Sequence, residues 1–311
     1  MKIITGGSGL LGNAFKKLTP NALFPTHKEL DLVNKNNTQE YFDKFAASVD
    51  TIIHLAGKVG GVKANTQYVS DFYEVNSAIN NNLITTCVKN KIPTLVCCLS
   101  TCIYPDEKYI NYPLTEEQLH NGPPHDSNFG YAYAKRMVDI QLKAVRQQYG
   151  YDYIAVIPNN MYGEHDNFDL ENGHVIPSLI RKIWEAKINN KPTFEVWGDG
   201  EIYREFTYAE DIAKVILFCI DKYNSSEPIN IGSTQEYKLK DVIEIITKEL
   251  NYKGNIVFDT SKPKGQIRKP TSNKKLLDLG WKNEWYTPLE VGLKKTCDWF
   301  VNNYPNVRGV K

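Results

Sequence analysis

The chain has 311 residues, 41% of them hydrophobic, with 37 Lys and Arg against 36 Asp and Glu. That length and apolar content can bury a large core, as one big α/β unit or as a nucleotide domain with a smaller partner. The near-zero charge balance excludes the strongly basic surface of a nucleic-acid or acidic-membrane binder, so any bound phosphate has to be held locally.

In chain order, Lys2 to Thr5 reads as a first strand, with no apolar export segment before it and no membrane-length apolar run after it. The expectation is therefore a cytosolic protein. Thr5-Gly6-Gly7-Ser8-Gly9-Leu10-Leu11-Gly12 follows this strand and opens a helix over Leu10 to Leu18. Glycine suits a sharp turn, a backbone that approaches a pyrophosphate, and close helix–sheet packing, and Gly6, Gly9 and Gly12 fit those needs. The helix N-terminus adds free N–H groups and a positive dipole end for phosphate. Gly6, Gly7, Ser8, Gly9, Leu10, Leu11 and Gly12 are thus candidate contacts to a dinucleotide.

A second strand is expected at Ala22 to Phe24, running into Pro25-Thr26-His27-Lys28. NAD-preferring units carry an acid at this point for the adenosine ribose. Here the first acids are Glu29 and Asp31, and basic His27 and Lys28 suit a 2′-phosphate, so NADPH is the expected cofactor, with His27, Lys28 and Asp31 near its adenosine end. The alternative is that the two basic residues are simply solvated.

A short helix near Thr38 to Phe45, strands at Thr51 to Ala56, Thr94 to Leu99 and Tyr153 to Ile157, and helices at Asp71 to Asn90 and Tyr131 to Tyr149 continue the alternation. This is the pattern of a doubly wound parallel sheet of Rossmann type, expected over residues 1–157. After Pro158 the chain becomes rich in Asn, Gly and Pro, with helices expected at Ile176 to Lys187 and Leu239 to Leu250 and strands at Thr193 to Trp197 and Ile256 to Phe258. A smaller mixed α/β lobe over 158–311 is the expectation, with a helix from Tyr208 to Cys219 in a segment (about 208–232) that rejoins the first unit, and Pro288 to Phe300 as a closing helix.

The six cysteines show no CxxC spacing and sit mostly in apolar runs, which argues against a zinc site and against a disulfide framework. Cys102 stands apart, just beyond a strand end among polar and aromatic residues. His120, His125 and His165 lack a partner set that would close a tetrahedral site, so no metal is expected.

Tyr131-Ala132-Tyr133-Ala134-Lys135 places Tyr131 and Lys135 one helical turn apart on one face. A phenol is a poor acid or base near neutrality, and an adjacent ammonium is expected to stabilise its phenolate. Alone such a pair is usually a surface feature. Ser100 lies at the carboxyl end of a parallel strand, where open sheets bind ligands, and can hydrogen-bond a carbonyl.

The glycine loop, Ser100 and the Tyr131/Lys135 pair together resemble the extended short-chain dehydrogenase/reductase family, whose members hold NAD(P)(H) in the first domain and commonly a sugar nucleotide in the second. Over nearly the whole chain the resemblance is to the branch of GDP-4-keto-6-deoxymannose 3,5-epimerase/4-reductases. It is carried by His54-Leu55-Ala56-Gly57-Lys58-Val59-Gly60-Gly61, Ser100-Thr101-Cys102-Ile103-Tyr104-Pro105, Asn160-Met161-Tyr162-Gly163, His165-Asp166-Asn167-Phe168 and Gly173-His174-Val175-Ile176-Pro177.

The resemblance implies conversion of GDP-4-keto-6-deoxy-D-mannose to GDP-L-fucose, with Cys102 as base and His174 as acid for inversion at C3 and C5, then NADPH-dependent reduction at C4 with Tyr131 as proton donor. A thiol serves as base only where a nearby imidazolium or lysine favours the thiolate. The resemblance further implies cofactor contacts from Leu55, Ala56, Lys135, Pro158, Asn160, Met161 and His174. Substrate contacts are implied for Asn160, Lys182, Trp197, Arg204 and Lys264, and a homodimer packed through helices such as Asp71 to Asn90 and Tyr131 to Tyr149. Two positions depart from the pattern: Lys264 stands where an Asp is usual, and Glu164 where a Pro is usual. Competing expectations are a 4-keto sugar-nucleotide reductase or epimerase acting on another sugar, and a non-catalytic NAD(P)-sensing relative. A dehydratase is disfavoured because Thr101-Cys102 stands where those enzymes carry an Asp-Glu pair.

Overall fold

The computed structural model describes residues 1–45, 47–261 and 267–310. Its strands in chain order are β1 (Lys2–Thr5), β2 (Thr51–His54), β3 (Thr94–Cys98), β4 (Ile154–Pro158), β5 (Asn160–Tyr162), β6 (Thr193–Trp197), β7 (Tyr203–Tyr208), β8 (Ile229–Ile231), β9 (Glu236–Lys238) and β10 (Asn255–Asp259). The helices are α1 (Leu10–Leu18), α2 (Lys35–Asp43), α3 (Val62–Gln67), α4 (Val69–Lys89), α5 (Phe129–Tyr149), α6 (Val175–Ile188), α7 (Ala209–Lys222), α8 (Leu239–Glu249), α9 (Lys274–Asp278) and α10 (Leu289–Asn303).

β1, β2, β3, β4 and β8 lie in that order in one parallel sheet. Their near-continuous apolar sequence requires cover on both faces, and successive residues do divide between two cores. Ile3, Ile52, Leu95 and Ala155 pack with Phe42, Leu83, Ile84, Val138 and Leu142 from α2, α4 and α5. Ile4, Ile53, Val96 and Val156 pack with Leu11 and Phe15 of α1 and Ile212, Ile216 and Cys219 of α7. Leu276, Trp281 and Tyr286 close the second of these cores, so the chain returns to the sheet a further time. A third core joins α6, α8 and α10 to β6 and β7, with Ile180, Ile183, Phe206, Val242, Ile243, Leu293 and Phe300 at its centre.

Two strand expectations shrink. Ala22 to Phe24 is reduced to one bridge, Leu23 beside Ile3, because Pro25 removes the donor that would extend the ladder. Thr51 to Ala56 ends at His54, since the N–H groups of Leu55 and Ala56 turn to the Thr5 hydroxyl, each at 3.3 Å. Helix α2 starts earlier than expected because Asn34 caps it, accepting from the N–H groups of Asn36 and Asn37 at 3.0 and 3.1 Å.

Candidate active site

The loop after β1 builds a cradle from backbone. Gly6 has φ +74°, where a side chain would be strained, and a Cβ on Gly12 would stand 2.3 Å from the Gly6 carbonyl oxygen. Gly9 caps α1 from an extended conformation without a side-chain cap, so the first-turn amides are available to an anion. Leu10 and Leu11 send their side chains into the sheet core, which leaves only their main chain for a ligand. A dinucleotide pyrophosphate fits this cradle. Beyond the Leu23 bridge, Glu29 is spent locally, its carboxylate accepting from the N–H and hydroxyl of Thr26 at 2.8 Å each. Those hydrogen bonds lower its pKa. Asp31 accepts from the Val33 N–H at 3.0 Å and lies 3.8 Å from His27, whose side chain is 82% exposed. The acids at this point serve the turn, and His27 and Lys28 face solvent.

At the carboxyl end of β3, Ser100 caps a single turn over Thr101–Ile103, its Oγ accepting from the Cys102 N–H at 3.2 Å. Helix α5 lies against this turn. Arg136 ties the two together, donating from Nε and Nη2 to the Ile103 carbonyl at 2.8 and 2.5 Å and from Nη1 to the Gly122 carbonyl at 2.7 Å. One turn earlier on α5, the buried Tyr131 side chain interacts with Ser100, and its ring stands edge-on to Phe72 at 6.3 Å. Lys135 is buried and donates to the Cys98 carbonyl at 3.2 Å. The structure thus brings Ser100, Cys102, Tyr131 and Lys135 around one strand end.

The expected effect of Lys135 on the phenol is corrected. Burial drives the Tyr131 pKa upward, Cys102 and Cys98 push the same way, and only the Ser100 hydrogen bond opposes them. Burial likewise lowers the pKa of Lys135, whose ammonium is turned to the Cys98 carbonyl. The phenol is therefore protonated at neutral pH, the state that a proton donor to an alkoxide requires.

Behind this pair runs a chain of buried polar groups that sequence reading did not single out. His54 contacts the Thr5 hydroxyl at 2.9 Å and Asn80 Oδ1 at 3.1 Å, and Asn80 donates to the Ala134 carbonyl at 3.2 Å. Burial, aided by Lys135, lowers the His54 pKa to about 3, so the ring is neutral, with Nε2–H donating to Asn80. β1, β2, α4 and α5 are thereby pinned together one residue before Lys135.

His174 occupies the N-cap of α6 with its side chain 59% exposed, and Nδ1 lies 3.8 Å from Asp166. Interaction with this carboxylate raises the His174 pKa, against partial burial and the charge of Arg308. Asp166 is buried at 3% exposure and accepts from the Asn167 N–H at 2.7 Å, while its Oδ2 has no hydrogen-bond partner among the described residues. Asn160, beside Pro158 and Met161, donates to the Glu205 carbonyl at 2.9 Å. Lys182 of α6 borders a 390 Å³ cavity with Leu170, Glu185, Phe194, Glu195 and Val257. Trp197 is exposed at the end of β6, and Arg204 of β7 donates to the Tyr203 carbonyl at 2.6 Å. Lys264 lies outside the described residues. Glu164 accepts from the Tyr208 hydroxyl at 2.6 Å and pairs with Lys17 of α1 at 3.2 Å.

A cation missed in the sequence, Lys269, donates to the Thr101 carbonyl at 3.1 Å and interacts electrostatically with Cys102. No motif marks it, because it comes from a strap 168 residues further along the chain. Among the described residues there is no group of three or more His, Cys, Asp or Glu that could hold a metal, and no helix long and apolar enough to cross a membrane.

Residues 3–232 match the model of the NAD dependent epimerase/dehydratase family. A GDP-L-fucose synthase from Dictyostelium discoideum is 39% identical, over 98% of this chain and 97% of its own length. A GDP-L-colitose synthase from Yersinia pseudotuberculosis is 37% identical, over 98% of this chain and all of its own. The crystal structure of a GDP-L-fucose synthetase from Naegleria fowleri bound to NADP superposes with a TM-score of 0.91 at 38% identity, covering 99% of this chain and 94% of that one.

Proposed function

Because the chain belongs to the NAD dependent epimerase/dehydratase family, we infer that it converts GDP-4-keto-6-deoxy-D-mannose to GDP-L-fucose by inversion at C3 and C5 followed by reduction at C4. The observation that carries the reading is the turn at Ser100–Cys102 set against Tyr131, with a cation on each side in Lys135 and Lys269. NADPH, when bound in the Gly6–Gly12 cradle, supplies the hydride. The exposed Lys28, and His27 beside Asp31, favour its 2′-phosphate over the bare ribose of NADH.

The chain's own groups divide the proton work. A ketone at C4 acidifies the hydrogens at C3 and C5, so each inversion needs a base on one face of the ring and an acid on the other. Cys102 takes the base role, half-buried on its turn. His174 takes the acid role, its imidazolium sustained by Asp166. Ser100 and Tyr131 hold the C4 oxygen, and Tyr131 gives up its proton as charge develops there. Lys182, Trp197 and Arg204 serve the GDP portion, with basic side chains for the pyrophosphate.

The cofactor unit comprises residues 1–157 together with 208–232, supported by the packing of α7 on α1, and the segment carrying Leu276, Trp281 and Tyr286 packs on it as well, while the remainder of 158–311 forms the sugar-nucleotide lobe. A homodimer is supported by an exposed apolar stripe on α5, Phe129, Tyr133, Met137 and Ile140. Six free cysteines, five of them buried, accord with a cytosolic place of action.

The decisive experiment is NMR of the product formed from GDP-4-keto-6-deoxymannose and NADPH in deuterated water. GDP-L-fucose carrying deuterium at C3 and C5 is the expected result; reduction without deuterium uptake would leave a pure reductase.

A further inference from the structure

Glu205, the one carboxylate of the second lobe's β7, is buried at 2% exposure, and no step assigned so far uses it. Its Oε1 accepts from the Thr271 N–H at 2.8 Å, and its Oε2 accepts from the Thr271 hydroxyl at 2.6 Å and from Asn159 Nδ2 at 3.3 Å. Asn159 is itself fixed, accepting from the Thr207 hydroxyl at 2.7 Å and donating to the Ser233 carbonyl at 2.7 Å. The carboxylate therefore sits on a rigid frame at the junction of β4, β7 and β8, held by three donor groups from two residues, Thr271 and Asn159.

Thr271 belongs to the strap 267–273, which crosses from the second lobe to the sheet. The Ile267 carbonyl accepts from Tyr203 at 2.8 Å, and Leu114 exchanges hydrogen bonds with Pro270 and Ser272 at 2.8 and 2.9 Å. Between these fixed points Lys269 reaches the Thr101 carbonyl. Thr271 is bound by both its N–H and its hydroxyl to one buried group only two residues from that lysine.

We propose that Glu205 is a positioning residue: it anchors the strap through Thr271 and so holds the Lys269 ammonium against the Thr101–Cys102 turn. The catalytic consequence rests on the reading of Cys102 as the epimerising base. A cation fixed beside a sulfur assists its attack on a proton or an electrophile, whereas one on a loose strap is lost to solvent. Burial has raised the Glu205 pKa to about 7, with Glu236 acting in the same direction, so retention of a carboxylate here needs the three donors that surround it.

Glu205→Gln keeps the shape and places an amide N–H₂ among donors. In the full-length protein it is expected to leave NADPH affinity within about twofold, to slow deuterium uptake at C3 and C5 by about tenfold, and to slow alkylation of Cys102 by iodoacetamide. Hydride transfer to substrate already inverted at both carbons should change far less. Lys269→Met should reproduce the pattern, and the double variant should be no worse than either single one. Thr271→Val removes one donor and keeps the other, so it should show a smaller loss in the same direction and serves if Glu205→Gln does not fold. Normal uptake and normal alkylation in folded Glu205→Gln, or fully additive losses in the double variant, would overturn the proposal. Alkylation needs no substrate: a wild-type protein whose Cys102 labelling depends on Glu205 and Lys269, yet which shows no exchange on the keto sugar, would retain the anchor and lose the epimerase reading.

Discussion

At the scale of single residues, proton positions separate the two halves of the chemistry. Cys102→Ser should bind NADPH normally and lose deuterium uptake at C3 and C5, whereas Tyr131→Phe should keep uptake and lose NADPH oxidation by about 10²–10⁴-fold. Equal loss of both activities in either variant would show that the steps are not divided as assigned. His174 makes the pH dependence specific. Its pKa is raised in the fold by Asp166, so the acid is present at low pH and is lost as pH rises through that value. Asp166→Asn should move this alkaline limb of epimerisation to lower pH, with the same displacement of the His174 ring signals in an NMR titration. The associated stability follows the same sign: the Asp166–His174 interaction stabilises the fold below the ordinary histidine range and ceases to do so above the raised pKa. Tyr131, Lys135, Cys102 and His174 were legible because each stands in a run of local sequence. Glu205 and Lys269 were not, since their partners are distant in the chain; Asp166 lies in the run His165-Asp166-Asn167-Phe168, but its burial beside His174 is a feature no local pattern displays.

At the scale of elements, the β1–α1 cradle is the most exacting part of the fold. Gly12→Val would drive a side chain into the Gly6 carbonyl, 2.3 Å from the first added carbon, and the atoms it meets, at Gly6 and Gly7, are backbone rather than a side chain that could swing away. Loss of NADPH binding together with a lower melting temperature is expected, measured by fluorescence titration and thermal unfolding; unchanged binding would mean the loop can open without cost. This element was fully readable, from Lys2 through Leu18, because a strand, a glycine turn and an amphipathic helix follow one another without interruption. β8 and β9 escaped because three residues give no period to detect. β7 escaped because the charged pair Arg204 and Glu205 interrupts its apolar run, Arg204 held at the Tyr203 carbonyl and Glu205 buried on Thr271. The Ala22 to Phe24 strand was overread: its apolar residues are present, but Pro25 ends the ladder after one bridge.

At the scale of the whole molecule, the α5 stripe is a test of assembly. Phe129, Tyr133, Met137 and Ile140 recur at helical spacing on a face that stays exposed, with Met137 at 51%. Met137→Glu should convert a dimer to a monomer in sedimentation analysis, because a charge would be desolvated at the centre of the stripe. A wild-type monomer at micromolar concentration would refute the dimer itself. The sequence alone could not separate this face from a core face, since both carry the same periodicity.

The order in which the second sheet core is covered has a consequence for biosynthesis. Ile4, Ile53, Val96 and Val156 are all made within the first 156 residues, but of their cover only α1 is made with them, while Ile212 to Cys219 and finally Trp281 and Tyr286 come later. A nascent chain therefore leaves the ribosome with one side of its sheet incompletely covered until its last tenth has been synthesised. The fragment 1–157 should aggregate when expressed alone and bind holdase chaperones, and a stop codon placed just before Trp281 should send nearly the whole polypeptide to proteolysis.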